Sequence, residues 1–180
     1  MGAPFRPATA AGISAGEQIL AAVLLPVFYR EQQAHLVLTK RRADLRRHAG
    51  EISFPGGRKD PEDPDLRSTA LREAEEEIGL PRESVDVLGE LSPVSTFVTG
   101  YLIHPFVGLI DPQSSFKPSP GEVAEVLQVS LEELGRSLTK TTLKRRGITF
   151  QTDAYVLGEE VIWGATARIV AELLERLGMS

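Results

Sequence analysis

Glu73, Glu76 and Glu77 stand at i, i+3 and i+4, a spacing that gathers three carboxylates onto one side of an α-helix. With Glu73 set at zero, the other two fall within about 60° of it at about 100° per residue. Like charges so placed repel by about 0.2–0.5 kcal/mol per pair on an exposed helix. Partial burial increases that cost, so a compensating cation is expected. A hard divalent ion, Mg²⁺ or Mn²⁺, prefers carboxylate oxygens and keeps waters in its remaining positions. The same residues also fit a solvated acidic face balanced by Arg67 and Arg72; the Gly56-Gly57 turn just upstream favours the metal reading.

A helix that presents these groups is predicted over Ser68 to Ile78. Pro64 suits a first turn, Asp63 or Asp65 can cap it, and Gly79 followed by Pro81 ends it. Ala70, Leu71, Ala74 and Ile78 form an adjoining apolar arc whose small alanines allow close approach to a sheet. The acidic face then lines one side of a cleft.

The elements that must hold this helix read mostly as strands. Ile19 to Tyr29 and Leu36-Val37-Leu38 form a hairpin across a polar turn, the first strand buried on both faces. Thr39 to Gly50 then packs Lys40, Arg41, Arg42, Arg46 and Arg47 with His48 into a dozen positions. Such a cluster is either solvated surface or the anion-binding wall of the cleft, where guanidinium groups grip phosphates bidentately. Val85 to Leu91 and Ile103 to Ile110 are further strands, joined by the polar loop Ser92 to Gly100. In that region Phe97 or Tyr101 is either core or a surface for stacking a base. Phe116 to Gly121 is a loop across the cleft mouth, and Glu122 to Val126 opens a strand. Ser130-Leu131-Glu132-Glu133 is a capping box. Lys140 to Arg146 is a second basic stretch, Ile148 to Val156 alternates as a strand, and Ile169, Leu173 and Leu177 mark a closing amphipathic helix.

The whole chain bounds the answer further. Its 180 residues, 42% hydrophobic and 25% charged, fit one ordinary globular domain over residues 17–180, after a loose arm, residues 1–16, to which no chemistry is assigned. A net charge of −5 argues against general nucleic-acid coating. With no cysteine, thiol catalysis and disulfides are excluded, as suits a cytoplasmic protein. Ile19 to Phe28 is too short to span a bilayer, and no secretory leader is read at the start, so no membrane partner is expected. Any self-association is expected to take the form of a homodimer.

Arg72-Glu73-Ala74-Glu75-Glu76-Glu77-Ile78-Gly79-Leu80 resembles the second half of the Nudix hydrolase box, G-x5-E-x7-R-E-U-x-E-E-x-G-U with U a bulky aliphatic residue. In the first half Asp63 stands where that pattern has glutamate, and the gap to Arg72 is one residue longer. The run Leu38 to Arg41 with Leu45 to Gly57 resembles the element marking the coenzyme A pyrophosphatase branch, with Arg42 in place of a serine; Ile162 to Ile169 is similar to that branch's closing helix. The resemblance implies an α/β fold, the Nudix α/β/α sandwich with a mixed sheet, that hydrolyses a nucleoside diphosphate linked to another moiety.

Such a diester repels hydroxide, so attack needs cations on the phosphoryl oxygens and a base for water. Glu73 and Glu77, four apart, can share one metal, while Glu76 can hold a second or take the water proton. Family precedent implies Glu73 or Glu76 as base and a main-chain carbonyl of the Gly56-Gly57 turn, taken at Gly57, as a further ligand. Arg72 is expected to orient a glutamate or a loop carbonyl. Arg41, Arg42, Arg46 and Arg47 are the candidate phosphate contacts, and Glu122 or Glu125 the auxiliary carboxylate. The first hypothesis is a coenzyme A diphosphatase yielding 4′-phosphopantetheine and adenosine 3′,5′-bisphosphate. The alternatives are a pyrophosphatase of another nucleotide (ADP-ribose, NADH, a dinucleoside polyphosphate), a non-catalytic nucleotide sensor, and a merely structural acidic helix; a sensor would be marked by loss of a box carboxylate, and all three are present.

Overall fold

The apolar run that begins at Ile19 forms strand β1 (Ile19–Arg30), whose alternate residues feed two different cores. Ala22, Leu24 and Phe28 face one side of the sheet, and Leu25 and Val27 the other. A computed structural model of the chain describes residues 18–45, 49–96, 100–145 and 147–179. The arm expected over residues 1–16, together with Arg46, Arg47, His48 and Phe97, lies outside the described residues.

Glu31 and Gln32, at φ 50° and 64°, turn β1 directly into β2 (Gln33–Arg41). Two left-handed residues in succession match the right-handed twist of the paired strands. The short strands β3 (Ile52–Ser53) and β4 (Gly56–Arg58) follow, then helix α1 (Leu66–Ile78). Next come β5 (Asp86–Glu90), β6 (Val94–Ser95), β7 (Tyr101–Leu109) and β8 (Val123–Ser130). These strands join one sheet in the order β3-β2-β1-β7-β5, with β4 also on β1, β6 on β7 and β8 on β2. β1 and β7 run parallel from Ile19↔Tyr101 to Val27↔Leu109, while the remaining pairs are antiparallel, so the sheet is mixed.

After helix α2 (Leu131–Arg136), strands β9 (Leu138–Arg145), β10 (Ile148–Leu157) and β11 (Glu160–Ile162) form a second, antiparallel sheet. Helix α3 (Gly164–Arg176) closes the described chain. The basic stretch at Lys140 is thus a strand, and Gly56–Arg58, read as a turn from its glycines, pairs as one with Ala21–Val23. No described helix is long and apolar enough to cross a membrane.

Helix α1 lies on one face of the main sheet, where Ala70, Ala74 and Ile78 meet Ala22, Leu24, Val37 and Phe106. Helices α2 and α3 cover the other face through Leu131, Leu134, Ile169, Val170 and Leu173. This is an α/β/α sandwich. Each fully buried large aliphatic side chain contributes about 1.5–3 kcal/mol, and the alanines bring α1 close enough to the sheet for its acidic side to meet β4.

Candidate active site

Asp65 caps α1, accepting from the Ser68 N–H at 2.7 Å, and Gly79 ends it at φ 66°. Of the two capping candidates, Asp63 is therefore released for another task. It is 7% exposed and receives both Arg72 Nε at 2.9 Å and Arg72 Nη2 at 3.0 Å, together with the Thr69 hydroxyl at 2.9 Å and the Asp60 N–H at 3.0 Å. The Arg72 guanidinium, aided by those hydrogen bonds, holds the Asp63 carboxyl well below the usual range, and Asp63 in turn raises Arg72. The loop before the helix is therefore locked onto it at Arg72.

From that anchor Arg72 turns its third nitrogen toward the acidic face. Nη1 lies 3.0 Å from Glu73 Oε1 and 3.1 Å from Glu76 Oε2, while Nη2 donates to the Arg58 carbonyl at 3.3 Å. Glu73 in turn lies against β4: a β-carbon added to Gly57 would sit 2.5 Å from the Glu73 Cδ, so only glycine admits the carboxylate there. Gly56 is equally confined, since a β-carbon would come 2.6 Å from the Val23 Cα. The glycine pair thus exists so that backbone, with no side chain, can approach both β1 and Glu73.

Glu77 points inward from the next turn and is 6% exposed. Its polar partners among the described residues are the Gly56 N–H at 3.4 Å and Arg41 Nη1 at 4.0 Å. Burial, with Glu73 alongside, pushes the Glu77 carboxyl up to about 8, and burial likewise raises Glu73. Arg41 reaches it from the end of β2, with a buried Nε that has no hydrogen-bond partner among the described residues. Glu76, by contrast, is mostly exposed.

The loop after β7 brings a fourth carboxylate. Lys117 N–H donates to the Ile78 carbonyl at 2.8 Å and Ser119 N–H to the Glu77 carbonyl at 2.7 Å, so this loop is stitched to the C-terminal turn of α1. Glu122 follows, and its charge acts on both Glu73 and Glu77. Glu125 instead pairs across the sheet with Lys40 and acts on that amine, on the other face. Sequence alternation set these two glutamates on opposite faces but could not say which face meets α1; Val126, packed with α1, settles that only in the fold.

The basic residues separate in the same way. Arg41 faces Glu77, Lys40 pairs with Glu160 of β11, and Arg42 is spent on Asp44 at 2.7 and 2.9 Å and on the Pro120 carbonyl at 2.7 Å. Asp63 and Glu122 were missed or left open by sequence reasoning. The Asp-to-Arg72 distance along the chain, nine residues across a turn, was the available signal for the first.

Among the described residues no three Asp, Glu or His side chains form a ready-made cation cage. The carboxylates are instead shared between Arg72 and Arg41. The donor set still fits a hard divalent cation: a buried carboxylate at Glu77 and a partly buried one at Glu73, both with raised proton affinity, a third nearby at Glu122, and a Gly57 backbone in contact with Glu73.

The NUDIX domain model matches residues 19–151. The uncharacterised Nudix hydrolase NudL of Photorhabdus laumondii is 42% identical over 160 residues, covering 87% of this chain and 84% of that protein. Its namesake from Cronobacter sakazakii is 44% identical over 161 residues, covering 88% and 82%. Among solved structures, a MutT protein from Methanosarcina mazei superposes with a TM-score of 0.60 at 21% identity, over 92% of this chain and all of that one. The NUDIX domain of Shewanella oneidensis NrtR, complexed with ADP ribose, gives 0.59 at 15% identity over 91% and 90%.

Proposed function

Because the chain belongs to the Nudix family and is a hydrolase of phosphorus-containing anhydrides, we propose that its substrate is coenzyme A or a coenzyme A derivative, cleaved at the diphosphate to 4′-phosphopantetheine and adenosine 3′,5′-bisphosphate. The observation that carries this reading is the run Leu38 to Gly57. The stretch that resembles the coenzyme A branch is the same stretch that the fold leads from β2 through β3 to β4, ending against Glu73.

In this reading Glu73 and Glu77, with the Gly57 carbonyl, would hold a Mg²⁺ or Mn²⁺ ion, and Glu76 and Glu122 are the carboxylates available for a second. A divalent ion so held supplies charge neutralisation at the phosphoryl oxygens and a more acidic water. Glu73 or Glu76 takes the proton from the attacking water. Arg72 is a positioning residue: pinned by Asp63, it holds Glu73 and Glu76 in place and ties them to the Arg58 carbonyl. Arg41, whose side chain reaches toward Glu77, is the candidate phosphate contact, and Arg46 and Arg47, which follow it in the sequence, are the further candidates. Arg42 braces the Pro120 loop instead. A cytoplasmic location suits a chain without cysteine.

Two observations favour a second substrate. Arg42 replaces the serine of the coenzyme A element, and the neighbouring NrtR structure holds ADP ribose, so a different nucleoside diphosphate is the runner-up. Incubation with coenzyme A, acetyl coenzyme A, ADP-ribose, NADH and dinucleoside polyphosphates under Mg²⁺ or Mn²⁺, with product identification, tests both. Turnover of coenzyme A to the two named products is expected. Inactivity on coenzyme A and its acyl forms, with turnover of another nucleotide, overturns the assignment while leaving the hydrolase intact.

A further inference from the structure

Trp163 is the only tryptophan of the chain and immediately precedes α3. It is half-buried, and among the described residues no acceptor takes its indole N–H. Phe150 of β10 packs beside it, with ring centroids 5.8 Å apart at 54°. Over the indole stands the Arg145 guanidinium of β9, 5.6 Å from the ring centroid. Arg145 is 45% exposed, and its ion-pair partner Glu51 is 3.8 Å away. The Glu51 carbonyl accepts from the Arg41 N–H at 2.9 Å, and the Arg41 side chain reaches Glu77. A continuous set of contacts therefore joins the indole, through Arg145, Glu51 and Arg41, to the proposed cation-binding carboxylate.

A tryptophan face roofed by a guanidinium has the chemistry for one ligand class. Indole stacks on flat heterocycles, and arginine covers the opposite face of such a ring while its charge meets neighbouring phosphate. From these contacts we propose that Trp163 and Arg145 form the base subsite of the enzyme, taking the purine of the nucleotide whose diphosphate lies at Glu73 and Glu77. This rests on the hydrolase reading of that site but not on coenzyme A. Two stacked layers at about 3.5–4 Å each need about 7–8 Å, so Arg145 moves outward by about 2 Å to admit the base. A half-exposed side chain held through one long ion pair permits that movement. Purine is favoured over pyrimidine because its larger ring system overlaps more of the indole. The subsite also accounts for the second sheet, which brings Arg145 and Phe150 to a tryptophan that begins α3.

Trp163 supplies its own assay. Excitation of the indole while ADP or UDP is added to the intact protein, with a chelator present, reports occupancy without turnover. Saturable quenching by ADP is expected at a concentration at least about tenfold below that needed for UDP. Trp163→Leu and Arg145→Ala, checked for folding by circular dichroism, are expected to raise KM for the preferred purine nucleotide by about tenfold and by severalfold, with kcat within about threefold of the parent. An indole unresponsive to ADP concentrations that inhibit turnover, or equal response to ADP and UDP, overturns the proposal. So does an unchanged KM in either folded variant, and should Trp163→Leu not fold, the parent's fluorescence decides. Quenching by ADP in a protein inactive on coenzyme A would leave this subsite standing and remove the coenzyme A assignment; coenzyme A turnover with a silent indole would do the reverse.

Discussion

Replacing Glu77 by glutamine should stabilise the protein when divalent ions are chelated. The Glu77 carboxyl is 6% exposed, with Glu73 on its own helix, Arg41 reaching in from β2, the Gly56 N–H from β4 and the Glu122 charge from the loop before β8. Burial and the Glu73 charge carry it from 4.5 up to about 8. A carboxyl whose folded value lies above its unfolded value binds more protons folded than unfolded. Its contribution is therefore fully present below about pH 4.5 and is lost as pH rises through about 8. At 1.36 kcal/mol per pH unit, the loss reaches about 3 kcal/mol by pH 7 and about 5 kcal/mol above pH 8. Glutamine fills the same space, accepts from the Gly56 N–H and does not ionise. Urea unfolding in EDTA at pH 5, 7 and 8.5 should show the parent falling across this window. Glu77→Gln should be more stable by about 2–3 kcal/mol at pH 7 and much flatter, with a residual fall of the same sign from Glu73, which is also raised. Added Mn²⁺ should reverse the order by binding only the parent's charged pair. Equal parent stability at pH 5 and 8.5 in EDTA, or a variant less stable than the parent at pH 7, would refute the reasoning.

Gly57→Ala places a β-carbon 2.5 Å from the Glu73 Cδ, so Glu73 must move, and turnover should fall by about a hundredfold with little change in melting temperature; steady-state kinetics and thermal melts separate the two effects. Asp63→Ala leaves Arg72 without its buried partner and should cost about 3–5 kcal/mol in urea unfolding. Because Asp63 is held low by Arg72, its stabilisation should vanish only at acid pH, below the Glu77 window. Glu122→Gln should weaken Mn²⁺ binding by about tenfold in calorimetry, whereas Glu125→Gln, on the Lys40 face, should leave it unchanged; a reversed order would mean that β8 is out of register.

Local signals made α1 readable: helix-forming residues, Asp65 before it and Gly79 after it set its limits, and the arc of Ala70, Ala74 and Ile78 set the face it buries. The carboxylate cluster was legible for the same reason, since it lies within five residues of one helix. What sequence could not give depends on pairing between distant segments. The strand nature of Gly56–Arg58 comes from β1, not from its own propensity. Glu122 rather than Glu125 acts on the carboxylates because the face of β8 that carries Val126 packs with α1, which only the long-range pairing of β8 with β2 decides. Asp63 matched the family's glutamate position by counting, yet its side chain is spent on Arg72, in a loop one residue longer than the pattern. Arg42 sat within a basic run that looked uniform, and its bonds to Asp44 and the Pro120 carbonyl, against Arg41's approach to Glu77, distinguish the two only in the fold. The meeting of Trp163, Phe150 and Arg145 required the fold of the second sheet.

The central claim is that Glu73 and Glu77, set against Gly57, bind the divalent ion on which hydrolysis depends. It is tested most directly by the initial rate of coenzyme A hydrolysis, or of whichever nucleotide the panel selects, measured against Mn²⁺ concentration for the parent and Glu73→Gln. A parent rate that requires Mn²⁺ and a variant at least about a hundredfold slower at saturating metal are predicted; a variant that matches the parent across the titration would contradict the claim.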